Sequence, residues 1–323
     1  MVRHEATSRC AVFVPAHNEA QAIGPILETI KKRLSSKLVA LVVVDDGSSD
    51  KTSDVAAKFT THVLRIGAPG QPKGNGEATQ AGLTYLRDQF AGRLDTVIRI
   101  DGDGQHRADW IGDLVTCIEQ GADAVVMSRF HGQSDASQAP LDRVLLNTTA
   151  ARWVADLLGL SVTDARSGYF AYRWSVIEPI IKDLRSQGYG IPAELLVRVW
   201  HHAGQQRDPL RHLELPHPAV YAGPQLQEKL QHKWDDESIS QQAERLATFV
   251  RVMLHTRQSL PDFDEVRRYV VDEYRRLRSS APLAPVARHI VPPDEPISEP
   301  ELDTHTLTGL SDDRSVETGA DAK

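Results

Sequence analysis

An α/β fold built around a largely parallel sheet is the architecture this sequence predicts, and three observations predict it. Short apolar runs recur at residues 11–14, 41–44, 97–100 (broken only by Arg99) and 124–127, the length of buried strands. Segments with apolar residues at helical spacing lie between them, as in Ile23, Ile26, Leu27, Ile30 and Leu34. The first three runs all stop at polar turns rich in carboxylates and amides. Ligands of an open α/β sheet bind beyond the carboxyl ends of its parallel strands, so these three turns are expected to converge on one crevice.

In chain order, the run at 11–14 turns through Pro15-Ala16-His17-Asn18-Glu19 into the helix that carries Ile23 to Leu34. The run at 41–44 stops at Asp45-Asp46-Gly47-Ser48-Ser49-Asp50, where Ser49 or Asp50 can cap the next helix through a side-chain oxygen. Pro72-Lys73-Gly74-Asn75-Gly76 is a glycine-rich turn before a helix over 77–90. The run at 97–100 releases Asp101-Gly102-Asp103-Gly104-Gln105-His106. Residues 107–120 place Ile111, Leu114, Val115 and Ile118 on one helical face, and the strand at 124–127 ends at Ser128-Arg129-Phe130. The stretch 132–139 has no apolar period and reads as a loop. Further on, Glu194 opens a helix with Leu195, Leu196, Val199 and Trp200, and a strand follows at 213–216.

The turn at 101–106 carries the most chemistry. Two carboxylates one residue apart at the end of a buried strand, beside glycines that let the backbone approach closely, build a site for a hard divalent cation and its phosphates. An acidic surface turn has the same composition, because Asp and Gly favour turns for local reasons. The other strand ends separate the two readings, since three polar turns in one crevice make a site.

Val14-Pro15-Ala16-His17-Asn18-Glu19, Val44-Asp45-Asp46-Gly47-Ser48-Ser49-Asp50, Lys73-Gly74-Asn75-Gly76 and Asp101-Gly102-Asp103-Gly104-Gln105-His106 resemble, in order, the signatures of family 2 glycosyltransferases. The likeness spans roughly residues 8–230 and is nearest to the dolichyl-phosphate or polyprenyl-phosphate mannose and glucose synthases. It implies a GT-A fold, a Rossmann-like sheet flanked by helices, in a domain over 1–232. It also implies a metal-dependent, inverting transfer of a hexose from a GDP- or UDP-sugar to a polyprenyl phosphate or related acceptor.

Residue roles follow from the resemblance. Asp103 is the first metal ligand and so a catalytic residue, because a cation between it and the donor phosphates stabilises the departing diphosphate. Asp101 lies by the donor ribose or in the metal shell, and Gln105 adds an amide oxygen; Mg²⁺ and Mn²⁺ both accept such sets. Pro15 and Ala16 offer backbone to the base, Glu19 a carboxylate to the ribose, and Asp46 or Asp45 an acceptor to a base imide. Lys73, on its turn before a helix, is placed for a phosphate, unless it is only an exposed loop lysine.

The acceptor half is read from Asp164-Ala165-Arg166-Ser167-Gly168-Tyr169-Phe170, which is similar to the family's Asp-x-x-Ser-Gly-Phe stretch. Lipid-phosphate synthases usually continue past the last strand with an arginine and a Gly-x-Ser-Lys motif, where this chain reads on to Lys229 without them. Two acceptors therefore stay in view. A phosphate with a second pKa of about 6 is ionised at neutral pH and attacks without a base. A hydroxyl needs a carboxylate to take its proton, and Asp164 or Glu194 is the candidate. A first-turn carboxylate favoured by the helix dipole accounts equally for Glu194. A sugar-phosphate nucleotidyltransferase and a silent nucleotide-binding protein are the remaining readings; the first lacks its usual glycine- and arginine-rich N-terminal loop, and the second leaves Asp101 and Asp103 without work.

The rest of the chain bounds the setting. Cys10 and Cys117 are the only cysteines and sit in apolar surroundings, as reduced core thiols of a cytoplasmic protein do. No apolar run approaches the roughly 20 residues that span a bilayer, so a lipid acceptor would be met at the membrane surface. The net charge of −7 falls almost wholly in residues 279–323, and no nucleic-acid partner is expected. Residues 233–278 read as a helical appendage whose apolar stripes call for the core or a second subunit as partner, ahead of a membrane. Residues 279–323 are acidic and proline-rich and are expected to be disordered. His17, His106, His201, His202 and His217 fall in unrelated segments without a zinc pattern.

Overall fold

The computed structural model describes residues 8–220, apart from 138, 140–143, 145, 146, 149, 152, 153, 156–158, 187, 189, 207 and 208. The expected appendage (233–278), the acidic tail (279–323) and Lys229 lie outside the described residues.

Cys10–Ala16 (β1), Leu38–Asp45 (β2), His62–Arg65 (β3), Thr96–Arg99 (β4), Ala124–Ser128 (β5), Phe170–Arg173 (β6) and His212–Pro216 (β7) join in one sheet. Its order is β3-β2-β1-β4-β6-β5-β7. Side chains alternate across a strand, so a central strand covered on both sides must be apolar on both faces. In β1, Ala11 and Phe13 enter one core while Cys10, Val12 and Val14 enter the other.

The first core packs Phe13, Val42 and Val44 against Leu83, Leu86 and Phe90 of Asn75–Phe90 (here α3) and against Leu195, Leu196 and Val199 of Ile191–Gln205 (α6). The second packs Val12, Val14 and Ile98 under Ile23, Ile26, Leu27 and Ile30 of Ile23–Leu34 (α1) and under Ile111, Leu114 and Ile118 of Ile111–Glu119 (α4). Each fully buried Leu, Ile or Phe contributes about 1.5–3 kcal/mol, which is what holds these helices to the sheet. Two shorter helices, Thr52–Ala56 (α2) and Trp174–Ile177 (α5), complete the set used here. Both cysteines are free and buried, and burial pushes the Cys10 thiol up to about 11. No helix among the described residues is long and apolar enough to cross a membrane.

Three details depart from the sequence reading. The edge strand β3 was not anticipated, since its four residues are too few to show a period. The helix expected over 107–120 begins as a 3₁₀ turn, Ala108–Trp110, before α4. Most consequentially, β6 is antiparallel to both β4 and β5, so the sheet is mixed. Phe170, at the start of β6, pairs with Arg99, at the end of β4. An antiparallel strand begins where its neighbours finish, so residues 164–169 arrive at the same sheet end as Ala16, Asp45 and Asp101.

Candidate active site

A cleft of about 420 Å³ opens at that sheet end. Pro15, Ala16 and Glu19 line it from the β1 end, Asp46 from the β2 end, and Asp101, Asp103, Gln105 and His106 from the β4 end. Arg129 and Arg166 line it from the later part of the chain. The three polar turns thus converge as expected.

The first two turns brace each other. Asn18 N–H donates to the Ser48 hydroxyl at 2.9 Å, Glu19 N–H to the Thr52 hydroxyl at 2.7 Å, and His17 Nδ1 to the Asp46 carbonyl at 2.6 Å. Neither proposed cap holds the N-cap position of α2, which is Lys51; Asp50, one residue earlier, accepts from Thr52 N–H at 2.9 Å, and Ser49 donates to Asn18. Gly47 has φ +70° and faces the Ala68 carbonyl, which a Cβ would approach to 2.5 Å, so only glycine fits the turn.

The paired aspartates at 45 and 46 divide their work. Asp46 lines the cleft and accepts from the backbone N–H groups of Lys73 (2.7 Å) and Gly74 (2.8 Å), which fastens the glycine-rich turn at the start of α3. Asp45 is buried outside the lining. It accepts from Ser48 N–H at 2.9 Å and from the Ser53 hydroxyl, with Arg65 at 3.4 Å, so its place is structural. Lys73 is exposed and its side chain stands outside the cleft lining.

Around the third turn, Asp101 N–H donates to His106 Nδ1 at 3.2 Å, Gln105 N–H donates to Asp103 Oδ1 at 3.0 Å, and Gly102 N–H donates to the Pro15 carbonyl at 3.0 Å. Asp101 Oδ1 accepts from Arg99 Nη2 at 2.6 Å. His106 stacks on Tyr169 (centroids 5.2 Å) and meets His217 edge-on at 5.6 Å. The fold thus joins two histidines that the sequence leaves 111 positions apart, and it uses them as packing. Burial lowers His106 to about 3 and His217 to about 4.

Those two shifts give a pH prediction. Both folded values lie below the unfolded 6.5, so the unfolded chain takes up protons first. The stabilisation is complete above about pH 6.5 and is lost as the pH falls toward about 4. Thermal melts should drop between about pH 6.5 and 5, and less steeply in His217→Asn; parallel curves for the two proteins would contradict this.

Asp164 and Glu194, expected as bases, are both buried outside the cleft lining. Asp164 grips Arg129, accepting from Nε at 2.7 Å, Nη2 at 2.9 Å and the backbone N–H at 3.1 Å, and also takes Arg166 N–H at 3.2 Å. Glu194 accepts from Arg198 Nε at 2.7 Å, Ser186 N–H at 2.7 Å and Arg185 N–H at 3.0 Å. Each carboxylate is occupied in holding cations and loop backbone, and neither is among the residues that line the cleft. Glu214 adds a further layer, accepting from the backbone N–H groups of Thr163 (2.8 Å) and Asp164 (3.1 Å). Burial works to raise the Glu214 pKa, yet hydrogen bonding and His212 hold it below the ordinary range.

Sequence reasoning assigned no role to Arg99, Arg129 or Arg166. Arg99 left a signal: a charged residue inside an apolar strand run is almost never buried unless paired.

The Glycosyl transferase family 2 model matches residues 11–189. An uncharacterized protein of Methanocaldococcus jannaschii is 30% identical over 216 residues, 65% of this chain and 81% of that protein. The polyprenol monophosphomannose synthase of Mycolicibacterium smegmatis is 29% identical over 200 residues, 59% of this chain and 72% of that one. Among solved structures, glucosyl-3-phosphoglycerate synthase from Mycobacterium tuberculosis, in complex with Mn²⁺ and UDP-glucose, superimposes with a TM-score of 0.53 at 22% identity. That overlap covers 80% of this chain and 82% of the other, and shows a shared GT-A fold. With a family model spanning more than half of the chain and its motifs gathered at one sheet end, this protein belongs to glycosyl transferase family 2 and is a hexosyltransferase.

Proposed function

We propose that the cleft moves a hexose from a nucleotide-diphosphate sugar to an acceptor that attacks through a phosphate oxygen, a polyprenyl phosphate foremost. One observation carries this reading: the cleft is lined by Arg129 and Arg166, while the two carboxylates that a hydroxyl acceptor would call on lie buried outside it. An ionised phosphate brings its own negative charge to two arginines and needs no base. Relatives named polyprenol monophosphomannose synthase and, in Haloferax volcanii, dolichyl-phosphate hexose transferase support the same acceptor class.

On the donor side, Pro15 and Ala16 present backbone to the base, Glu19 meets the ribose, and Asp46 keeps the 73–74 turn shut over the diphosphate. The exposed Lys73 ammonium is the rim cation we assign to the donor phosphates. A divalent cation fits the set Asp101, Asp103 and Gln105. Among the described residues no three His, Cys, Asp or Glu side chains form a cage, and a cation that keeps waters and takes substrate phosphates needs only one or two carboxylates. When bound, Mg²⁺ or Mn²⁺ supplies Lewis-acid stabilisation of the leaving diphosphate.

The test is transfer from labelled GDP-mannose, UDP-glucose and UDP-N-acetylglucosamine to polyprenyl phosphate in detergent. Transfer from at least one donor, stopped by chelator, is expected. Nucleotide release that proceeds only with a hydroxyl acceptor would overturn the reading.

Glu194→Gln makes a second check. It keeps the shape but weakens the charge-assisted bonds, so stability should fall by about 1.5–3 kcal/mol in denaturant titrations. The transfer rate of the folded protein should stay within about threefold of wild type, whereas a lost general base would cost on the order of 10²- to 10⁴-fold.

A further inference from the structure

One side chain in the cleft does not match its neighbours. Among the described residues, Phe130 is the only one larger than proline and without a polar atom that lines it. The ring is half-buried, and an apolar ring gains free energy when its exposed part is covered. It stands two residues past the end of β5, beside Arg129, whose guanidinium carbon lies 5.5 Å from the ring centroid. Hydrogen bonds hold this corner in place. Phe130 N–H donates to the Ser128 hydroxyl at 3.2 Å, that hydroxyl lies 2.6 Å from the Thr163 hydroxyl, and the Ser128 carbonyl accepts from the Ser134 hydroxyl at 2.7 Å. Arg129 is itself held by Asp164 through three bonds, so its orientation does not depend on the ring.

We propose that Phe130 is a specificity-determining residue for the acceptor, packing against the first isoprene unit of a polyprenyl phosphate whose phosphate sits on Arg129. This rests on the phosphate-acceptor reading given above. The chemistry of such a lipid sets the spacing: an allylic CH₂ joins its phosphate directly to a branched apolar unit, so a wall that grips the phosphate must offer apolar surface right beside the cation. Arg129 and Phe130, adjacent in sequence and within cation–π distance, supply that pair. A hydroxyl of a hexose or of a hydrophilic phosphate ester finds no conventional hydrogen-bond partner on the ring. Phe130 therefore favours prenyl esters over small polar phosphates, a choice that Arg129 and Arg166 alone do not make.

The experiment measures binding to the full chain by ligand-observed NMR, with no nucleotide sugar present and with dimethylallyl phosphate and methyl phosphate as probes. Both carry the phosphate, and only the first carries an isoprene unit. Wild type should bind dimethylallyl phosphate about tenfold more tightly or better. In Phe130→Ala that advantage should shrink to within about threefold while the affinity for methyl phosphate stays the same. Phe130→Leu restores apolar area without a π face and should keep most of the advantage. Should circular dichroism show Phe130→Ala unfolded, Phe130→Gln, close to leucine in volume, takes its place with the same expected loss. Equal weakening of both probes would show a ring that only shelves Arg129 and would overturn the proposal. A wild-type protein that binds the two probes alike, or a Phe130→Leu protein that loses the advantage, overturns it as well. Because nothing is transferred in this measurement, its failure and a failure of the transfer assay are told apart.

Discussion

Asp103→Ala should retain its fold and lose transfer by on the order of 10³-fold or more. The carboxylate sits within the 101–106 turn, partly exposed, and lines the cleft beside Gln105 and His106. Its Oδ1 accepts from Gln105 N–H at 3.0 Å, a local bond within a turn that is also fixed by Asp101 N–H to His106 and by Gly102 N–H to Pro15. Removing it therefore takes away negative charge in the cleft, where we propose the donor diphosphate binds, without opening either core. The loss should fall on kcat, because the charge it stabilises develops as the leaving group departs. Near-normal turnover in a protein with an unchanged melting curve would contradict the assignment.

Asp164→Ala should be the most damaging change in the acceptor half. Its side chain is fully buried and its partner Arg129 is 21% exposed. Deleting one member of such a pair costs about 3–5 kcal/mol when the other is left without compensation. Here the cost also reaches function, since Arg129 and the Arg166 backbone both lean on this carboxylate. The acceptor KM should rise by about 10- to 100-fold, as loss of a charge-assisted anchor implies. Asp164→Asn keeps one acceptor oxygen and should fall between the two. A collapse of kcat at unchanged KM, with loss of the basic limb of the pH profile, would instead mark Asp164 as a base.

What could be read from the sequence was local. The apolar face of α1 was legible because Ile23, Ile26, Leu27, Ile30 and Leu34 repeat at helical spacing, and all five are buried. The turns at 15–19, 45–50 and 101–106 were legible because a strand end fixes where a polar cluster points. The acceptor half was less so, because its contacts are long-range. Arg129 meets Asp164 across 35 positions and Thr163 meets Glu214 across 51, separations that no spacing rule encodes. The direction of β6 was also hidden, since four residues, Phe170–Arg173, carry no mark of parallel or antiparallel pairing. Asp164 and Glu194 read as candidate bases, and Glu194 equally as a first-turn carboxylate, because their arginine and backbone partners become visible only once the chain is folded.

The phosphorus spectrum of the purified transfer product distinguishes a phosphate acceptor from a hydroxyl acceptor. Attack by a phosphate oxygen turns the acceptor's phosphate monoester into a sugar-linked diester, so the ³¹P resonance should move to the diester range and couple to the anomeric proton. The proton coupling within the sugar should show a configuration opposite to that of the donor. A product whose phosphate remains a monoester, with the hexose on a hydroxyl, would contradict the account.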